Sequence, residues 1–175
     1  QHALADLRTI AFSPAYASDS TLFLGTGRTA IWRSTNGGAA WAKSGTGHFT
    51  SDVGSIVISP NFATDRTIFT GCPSWQGFKS TNGGDTWTQY QFNIDWIDEG
   101  NRINPDVWAM AMSPAFPSDR TLFVGTFGTG VLKSTDASAT WSLVRHNMMA
   151  MRMSAIAVSP NFGSDRTVYV SSGGP

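Results

Sequence analysis

A chain of 175 residues, 41% of them hydrophobic, is long enough for one domain with a real core, and its zero formal net charge gives no electrostatic reason to bind a nucleic-acid backbone or an anionic membrane. Charged residues are only 14% of the chain while glycine (18 residues) and aromatics (12%) are plentiful, which favours strands and turns over helices. No apolar run approaches the ~20 residues of a membrane helix, and a lone Cys72 excludes an internal disulfide.

In chain order, one phrase returns four times. Ile10-Ala11-Phe12-Ser13-Pro14 is followed by Asp19 and Thr21-Leu22-Phe23; Ile56-Val57-Ile58-Ser59-Pro60 by Asp65 and Thr67-Ile68-Phe69. Met110-Ala111-Met112-Ser113-Pro114 precedes Asp119 and Thr121-Leu122-Phe123, and Ile156-Ala157-Val158-Ser159-Pro160 precedes Asp165 and Thr167-Val168-Tyr169. The prolines are 46, 54 and 46 residues apart, a period that suits a blade of four short strands. Strand A ends at Ser-Pro, an Asp-containing turn follows, and strand B is Thr-Leu-Phe-x-Gly. The repeated Asp19, Asp65, Asp119 and Asp165 are expected to bond turn amides, and Arg66, Arg120 and Arg166 beside them to be structural.

A second phrase closes each unit. Ser34-Thr35-Asn36-Gly37-Gly38-Ala39-Ala40-Trp41, Ser80-Thr81-Asn82-Gly83-Gly84-Asp85-Thr86-Trp87 and Ser134-Thr135-Asp136-Ala137-Ser138-Ala139-Thr140-Trp141 lie between strand C and a strand D expected to carry the tryptophan. The Asn or Asp side chain can bond amides of a tight turn, glycine supplies positive φ, and the tryptophan packs between neighbouring sheets. The third copy lacks both glycines, which leaves its turn geometry open and suits either a degenerate blade or an edge that meets a neighbour. The unit therefore reads as all-β, a single segment over 1–175 with blades near 7–47, 53–92 and 107–146 and a half blade near 154–172, fourteen strands in all. Such a count predicts further chain completing the ring, or two copies closing it as seven blades, or a small self-contained arrangement.

The Ser-x-Asn/Asp-x-Gly-x-Thr-Trp pattern resembles the Asp-box, or BNR repeat, of sialidase-like β-propellers. The resemblance implies a scaffold role for Ser34, Asn36, Trp41, Ser80, Asn82, Trp87, Ser134, Asp136 and Trp141, and an extracellular or periplasmic location. Relatives of that kind include sialidases, xyloglucan-hydrolysing propellers, sortilin-type receptors and photosystem II assembly-factor propellers. Sialidases use an arginine cluster with a Tyr–Glu pair; here Glu99 is the only glutamate, and Tyr90 the only tyrosine outside the repeat positions, so that signature is missing. The xyloglucanase-like members, closer in phrasing, use two aspartates from separate blades, for which Asp52 with Asp95 or Asp98 are the candidates.

Strand order puts the A–B turns and the Asp-boxes on one face and the irregular B–C and D–A loops on the other, where function is expected. The long segment 91–108 gathers Asp95, Asp98, Glu99 and Asp106 outside the repeat, with Asp52 on the preceding loop. Trp75 and Trp96 are candidate sugar-stacking residues and Arg28 and Arg102 candidate polar contacts; a loop solvated by acids and pinned by a tryptophan is the structural alternative. Met148, Met149 and Met151 beside His146 suit an adaptable partner contact better than a Cu(I) site. Asn in two of the three boxes argues against calcium, and Cys72 has no activating neighbour in sequence. The sequence thus points to a binding or interaction module for a glycan or protein partner, with no cofactor and no metal, or alternatively to part of a polysaccharide hydrolase or a subunit docked on a larger assembly.

Overall fold

The computed structural model describes residues 6–27, 30–45, 52–73, 76–92, 97–98, 101–102, 106–127, 130–144 and 152–173, with the backbone only at 97–98 and 101–102. Three antiparallel meanders form. The first holds β1 (Leu7–Phe12), β2 (Leu22–Thr26), β3 (Ile31–Ser34) and β4 (Ala42–Lys43); the second β5 (Ser55–Ile58), β6 (Ile68–Gly71), β7 (Gln76–Ser80) and β8 (Thr88–Gln91). A two-stranded hairpin, β9 (Ile97–Asp98) and β10 (Asn101–Arg102), lies in the long segment before the third sheet. That sheet comprises β11 (Val107–Met112), β12 (Leu122–Thr126), β13 (Val131–Ser134) and β14 (Ser142–Val144), and a final pair follows, β15 (Arg152–Val158) and β16 (Val168–Gly173). This strand pair lies within the longer second period.

One local expectation needs correcting. Strand D does not carry the repeated tryptophan: Trp41, Trp87 and Trp141 each immediately precede β4, β8 and β14. The A–B turn is a single helical turn: α1 (Tyr16–Asp19), α2 (Phe62–Asp65), α3 (Phe116–Asp119) and α4 (Phe162–Asp165). Each ends on a left-handed residue, Ser20, Arg66, Arg120 or Arg166, whose amide donates back to the carbonyl four residues earlier. Asp19 ties the turn by accepting from Ser13 Oγ at 2.6 Å and from the Thr21 amide at 2.8 Å, and the same pair of bonds recurs in the other three units.

The Ser-x-Asn/Asp phrases close on this same face. Ser34 Oγ donates to Asn36 Oδ1 at 2.9 Å and accepts from the Gly38 amide, while Asn36 Oδ1 accepts from the Ala40 amide. Ser80 and Asn82 repeat the arrangement, as do Ser134 and Asp136. The third box keeps its turn without glycine: Ala137 and Ser138 take φ of 59° and 77°, against 71° and 93° at Gly37 and Gly38. The third turn therefore follows the path of the other two, its side-chain bonds holding the left-handed conformation on residues that resist it. Backbone bonds from Gly37, Gly83 and Ala137 to the carbonyls of Ser20, Arg66 and Arg120 then lock each box to its helical turn.

The sheets pack through their first strands, β1 against β5, β5 against β11 and β11 against β15, so these strands form the inner wall of an arc. Between the first two blades lie Phe23, Ile31, Val53, Ile56, Phe62, Ile68, Phe78 and Trp87; between the second and third lie Phe69, Phe92, Met110, Phe116, Leu122, Leu132 and Trp141. Phe123, Val131, Met153 and Phe162 join the third blade to the last pair. The glycine of strand B makes the close approach possible. A Cβ at Gly25 would stand 2.7 Å from Val53 Cγ1, one at Gly71 2.3 Å from Val107 Cγ1, and one at Gly125 2.9 Å from Met153 Cβ. Trp87 Nε1 reaches across the first boundary to the Ser44 carbonyl at 3.2 Å. At the second boundary Tyr90 occupies that place and donates instead to the Thr70 carbonyl at 2.8 Å, packed beside Phe92 and Trp141. Tyr90 is thus an element of the blade interface. The two ends of the arc leave apolar residues exposed, Ile10 and Phe12 at one and Tyr169 and Val170 at the other.

Candidate functional site

Superposing the repeats on their prolines shows how the irregular face is built. Six residues before each proline stand Arg8, Gly54, Trp108 and Ser154, and in three of the four units the pairing register shifts at that place, between Leu7/Thr9, Val107/Ala109 and Met153/Ala155. A bulge turns a side chain out of the ladder, so three of the repeats can deliver a side chain to the mouth of the inner wall, with Gly54 at the same position in the second. All four positions line a single groove of about 580 Å³, together with Leu7, Phe127, Arg152, Met153 and Gly173.

Trp108 (41% exposed) and Phe127 (40%) are the large aromatics in its wall. The Arg152 guanidinium lies 4.3 Å from the Phe127 ring centroid, within cation–π reach, and the Phe127 amide is anchored on the Asp106 carbonyl at 2.9 Å. On the other side Arg8 Nη2 contacts Asp6 Oδ2 at 3.1 Å and Asp52 Oδ2 at 3.5 Å. The groove therefore offers an apolar, aromatic half and a charged half.

The same superposition corrects the reading of Asp52 and Asp106 as acids outside the repeat. With Asp6 they occupy one position, eight residues before the proline, and Arg152 fills it in the fourth unit. Asp52 is half-buried and tied to Arg8. Its two suggested partners are not brought to it by any described contact: Asp98 sits in β9 opposite Asn101, and Asp95 lies outside the described residues. Arg102 is opposite Ile97 in β10. Trp75, Trp96, Arg28, Met148, Met149 and Met151 lie outside the described residues. Cys72 is buried at the first blade boundary, where burial pushes its thiol up to about 12 against the pull of a Thr70 hydrogen bond and with help from the Asp52 charge. That is a packed, unreactive sulfur. Among the described residues no cluster of His, Cys, Asp or Glu is arranged to hold a metal.

Arg8, Trp108, Phe127 and Ser154 were not singled out by sequence reasoning. The signal for three of them was present: position six before the proline is the one place in strand A where arginine, glycine, tryptophan and serine alternate between units.

Comparison with solved structures fits this architecture. The chain is similar to an ancestral GH74 enzyme, with a TM-score of 0.70 and 22% identity over 95% of this chain and 22% of that one. The fold is a β-propeller. The GH74 enzyme of Niastella koreensis aligns with a TM-score of 0.69 and 24% identity over 95% of this chain and 26% of that one. The WD40 repeats of RRP9 align with a TM-score of 0.63 and 12% identity over 90% and 43%. This chain thus spans about a quarter of each GH74 enzyme and under half of the WD40 protein. No family model and no curated protein matches it.

Proposed function

We propose that the chain is a propeller binding module whose groove, at the mouth of the inner strands, takes a segment of a neutral glycan. The observation that carries the reading is the placement of half-exposed Trp108 and Phe127 in one groove with Arg8, Asp52 and Arg152 at its rim. Flat aromatic faces suit the C–H face of a sugar ring, and the charged groups supply directional bonds to hydroxyls. Asp6 and Asp52 both engage Arg8, an arrangement that holds carboxylates as fixed acceptors. The setting that goes with such a ligand is extracellular or periplasmic.

A second reading, a glycoside hydrolase, draws on the likeness to GH74 enzymes and on Asp52 at the groove's edge. It requires a second carboxylate across the groove, within roughly 5–10 Å, for acid–base work. Calorimetric titration of the 175-residue chain with soluble xyloglucan and cello-oligosaccharides, with reducing ends assayed on the same samples, separates the two. Saturable binding without new reducing ends, weakened about tenfold by Trp108→Ala, is expected. Turnover abolished by Asp52→Asn would install the hydrolase, and failure to bind any of these glycans would overturn both.

A further inference from the structure

The boundary between the second and third blades is fastened differently from the one before it. At the first boundary, three side chains tie one blade to the next. Arg33 Nη1 donates to the Gly83 carbonyl and to Asp85 Oδ1, both at 2.7 Å; Ser44 Oγ donates to the Gly84 carbonyl at 2.8 Å; and Trp87 Nε1 donates to the Ser44 carbonyl. One repeat further on, each of these places has changed. Ala139 stands where Asp85 does, and Lys79, in the place of Arg33, sets its ammonium 5.3 Å from the Phe69 centroid of its own blade. Tyr90 replaces Ser44, and its hydroxyl turns back to the Thr70 carbonyl of its own blade. Trp141 is buried like Trp87, yet its Nε1 has no hydrogen-bond partner among the described residues. Aromatic packing spans this boundary, Phe69 on Phe116 and both Tyr90 and Phe92 on Trp141, and the Met110 amide donates to Ser55 Oγ at 3.1 Å on the inner wall.

The difference acts in one direction. A buried donor without an acceptor penalises the closed boundary, and water satisfies it once the boundary parts; the first boundary, by contrast, loses the buried Ser44 and Trp87 bonds on parting. The groove crosses this second boundary. Arg8 and Gly54 come from the first two blades, Trp108 and Phe127 from the third, and Arg152 from the last pair. Each half is joined within itself, Arg8 to Asp52 across the first boundary and Phe127 to Arg152 by a backbone bridge. We propose that the second boundary is a seam that opens and closes: the first two blades move as one body, the third blade and the last pair as another, and a ligand in the groove closes the seam by touching both. What that ligand is rests on the glycan reading above; the seam does not. A ligand that contacts both bodies binds the closed arrangement better and shifts the population toward it.

Two measurements on the intact 175-residue chain test this. In hydrogen exchange of the unaltered protein, the Met110 amide, bonded across the second boundary, is expected to show at least tenfold less protection than the Val53 amide, bonded across the first to the Thr26 carbonyl. The second measurement moves the single thiol by one repeat. Cys72 and Thr126 each stand twelve residues after a Ser-Pro proline and are fully buried, so Cys72→Thr with Thr126→Cys carries the thiol from the first boundary to the same place in the third blade. Its labelling by a disulfide reagent is expected to be at least tenfold faster than that of Cys72, and to slow at least tenfold with saturating soluble xyloglucan. Adding Lys79→Arg with Ala139→Asp, which copies the Arg33–Asp85 pair onto the second boundary, slows it several-fold without ligand. Equal protection of Met110 and Val53, or equal labelling of the two thiols, would overturn the seam. Xyloglucan that binds by calorimetry yet leaves the labelling rate unchanged would overturn closure by the ligand. Failure of xyloglucan to bind would overturn the glycan reading, with the exchange comparison still deciding the seam.

Discussion

Arg8 in the first blade reaches Asp52 in the second, Nη2 to Oδ2 at 3.5 Å, while holding Asp6 of its own blade at 3.1 Å. The cation thus spans a blade boundary at the rim of the groove. All three side chains are more than a third exposed, so solvent screening leaves the bridge worth well under about 1 kcal/mol. Arg8→Ala is expected to leave the urea midpoint almost unchanged while weakening glycan binding several-fold. A large loss of stability would show that the bridge holds the blades together.

The tryptophans that end the Ser-x-Asn/Asp phrases behave differently. Trp87 is buried at a boundary and donates to the Ser44 carbonyl of the neighbouring blade. Trp87→Ala is expected to cost about 3–5 kcal/mol in chemical denaturation through the cavity and the orphaned carbonyl. Trp41, half-buried on the free end of the arc, is expected to cost clearly less.

Ala137 and Ser138 hold left-handed φ without being glycine. The relief of strain outweighs the added freedom of the unfolded chain, so Ala137→Gly is expected to stabilise by roughly 0.5–1 kcal/mol. The same exchange at an ordinary strand position would destabilise, which makes the sign of the change in melting temperature diagnostic.

Acid sensitivity follows from two aspartates. Hydrogen bonds from Ser159 and from the Thr167 amide hold Asp165 below the ordinary carboxylate value of 3.8; Asp136 is raised by burial but lowered more by bonds from Thr140 and Ser134. A carboxylate with a depressed folded-state pKa contributes stability that is present above its unfolded value and is lost as pH falls through the folded one. Stability is therefore expected to be flat from neutral pH down to about 4 and to drop below 3.8, with Asp136→Asn reducing that slope in urea titrations at successive pH values.

Cys72, with its thiol at about 12 inside the first boundary, is expected to react with a disulfide reagent at pH 8 only at the rate of opening of the chain. Rapid labelling of the native protein would contradict the packing described for it.

Blade architecture was legible from the paired Ser-Pro and Asp-box phrases because each residue in them answers a local demand: Asp19 and Asn36 bond turn amides in the structure as their spacing implies. The tryptophan's place ahead of strand D was not legible, since a residue opposite no ladder partner looks the same in sequence as one within it. The groove was hidden for a different reason. Arg8, Trp108 and Ser154 sit inside strand A, and only the bulge, a change in register rather than in composition, turns that position outward. Asp52 and Asp106 looked irregular because Arg152 interrupts their series.

That bulge has a consequence for how such a protein changes. The residues that fasten strand A, such as Val53 and Val107, are neighbours in sequence of the residues that line the groove, yet they pack at the blade boundaries. Arginine, tryptophan and serine stand at the bulged place in three units, and glycine holds the same position in the second, where the register does not shift. The chemistry of the groove wall can therefore change by single exchanges, one per repeat, without a change in the boundary residues that hold the blades together.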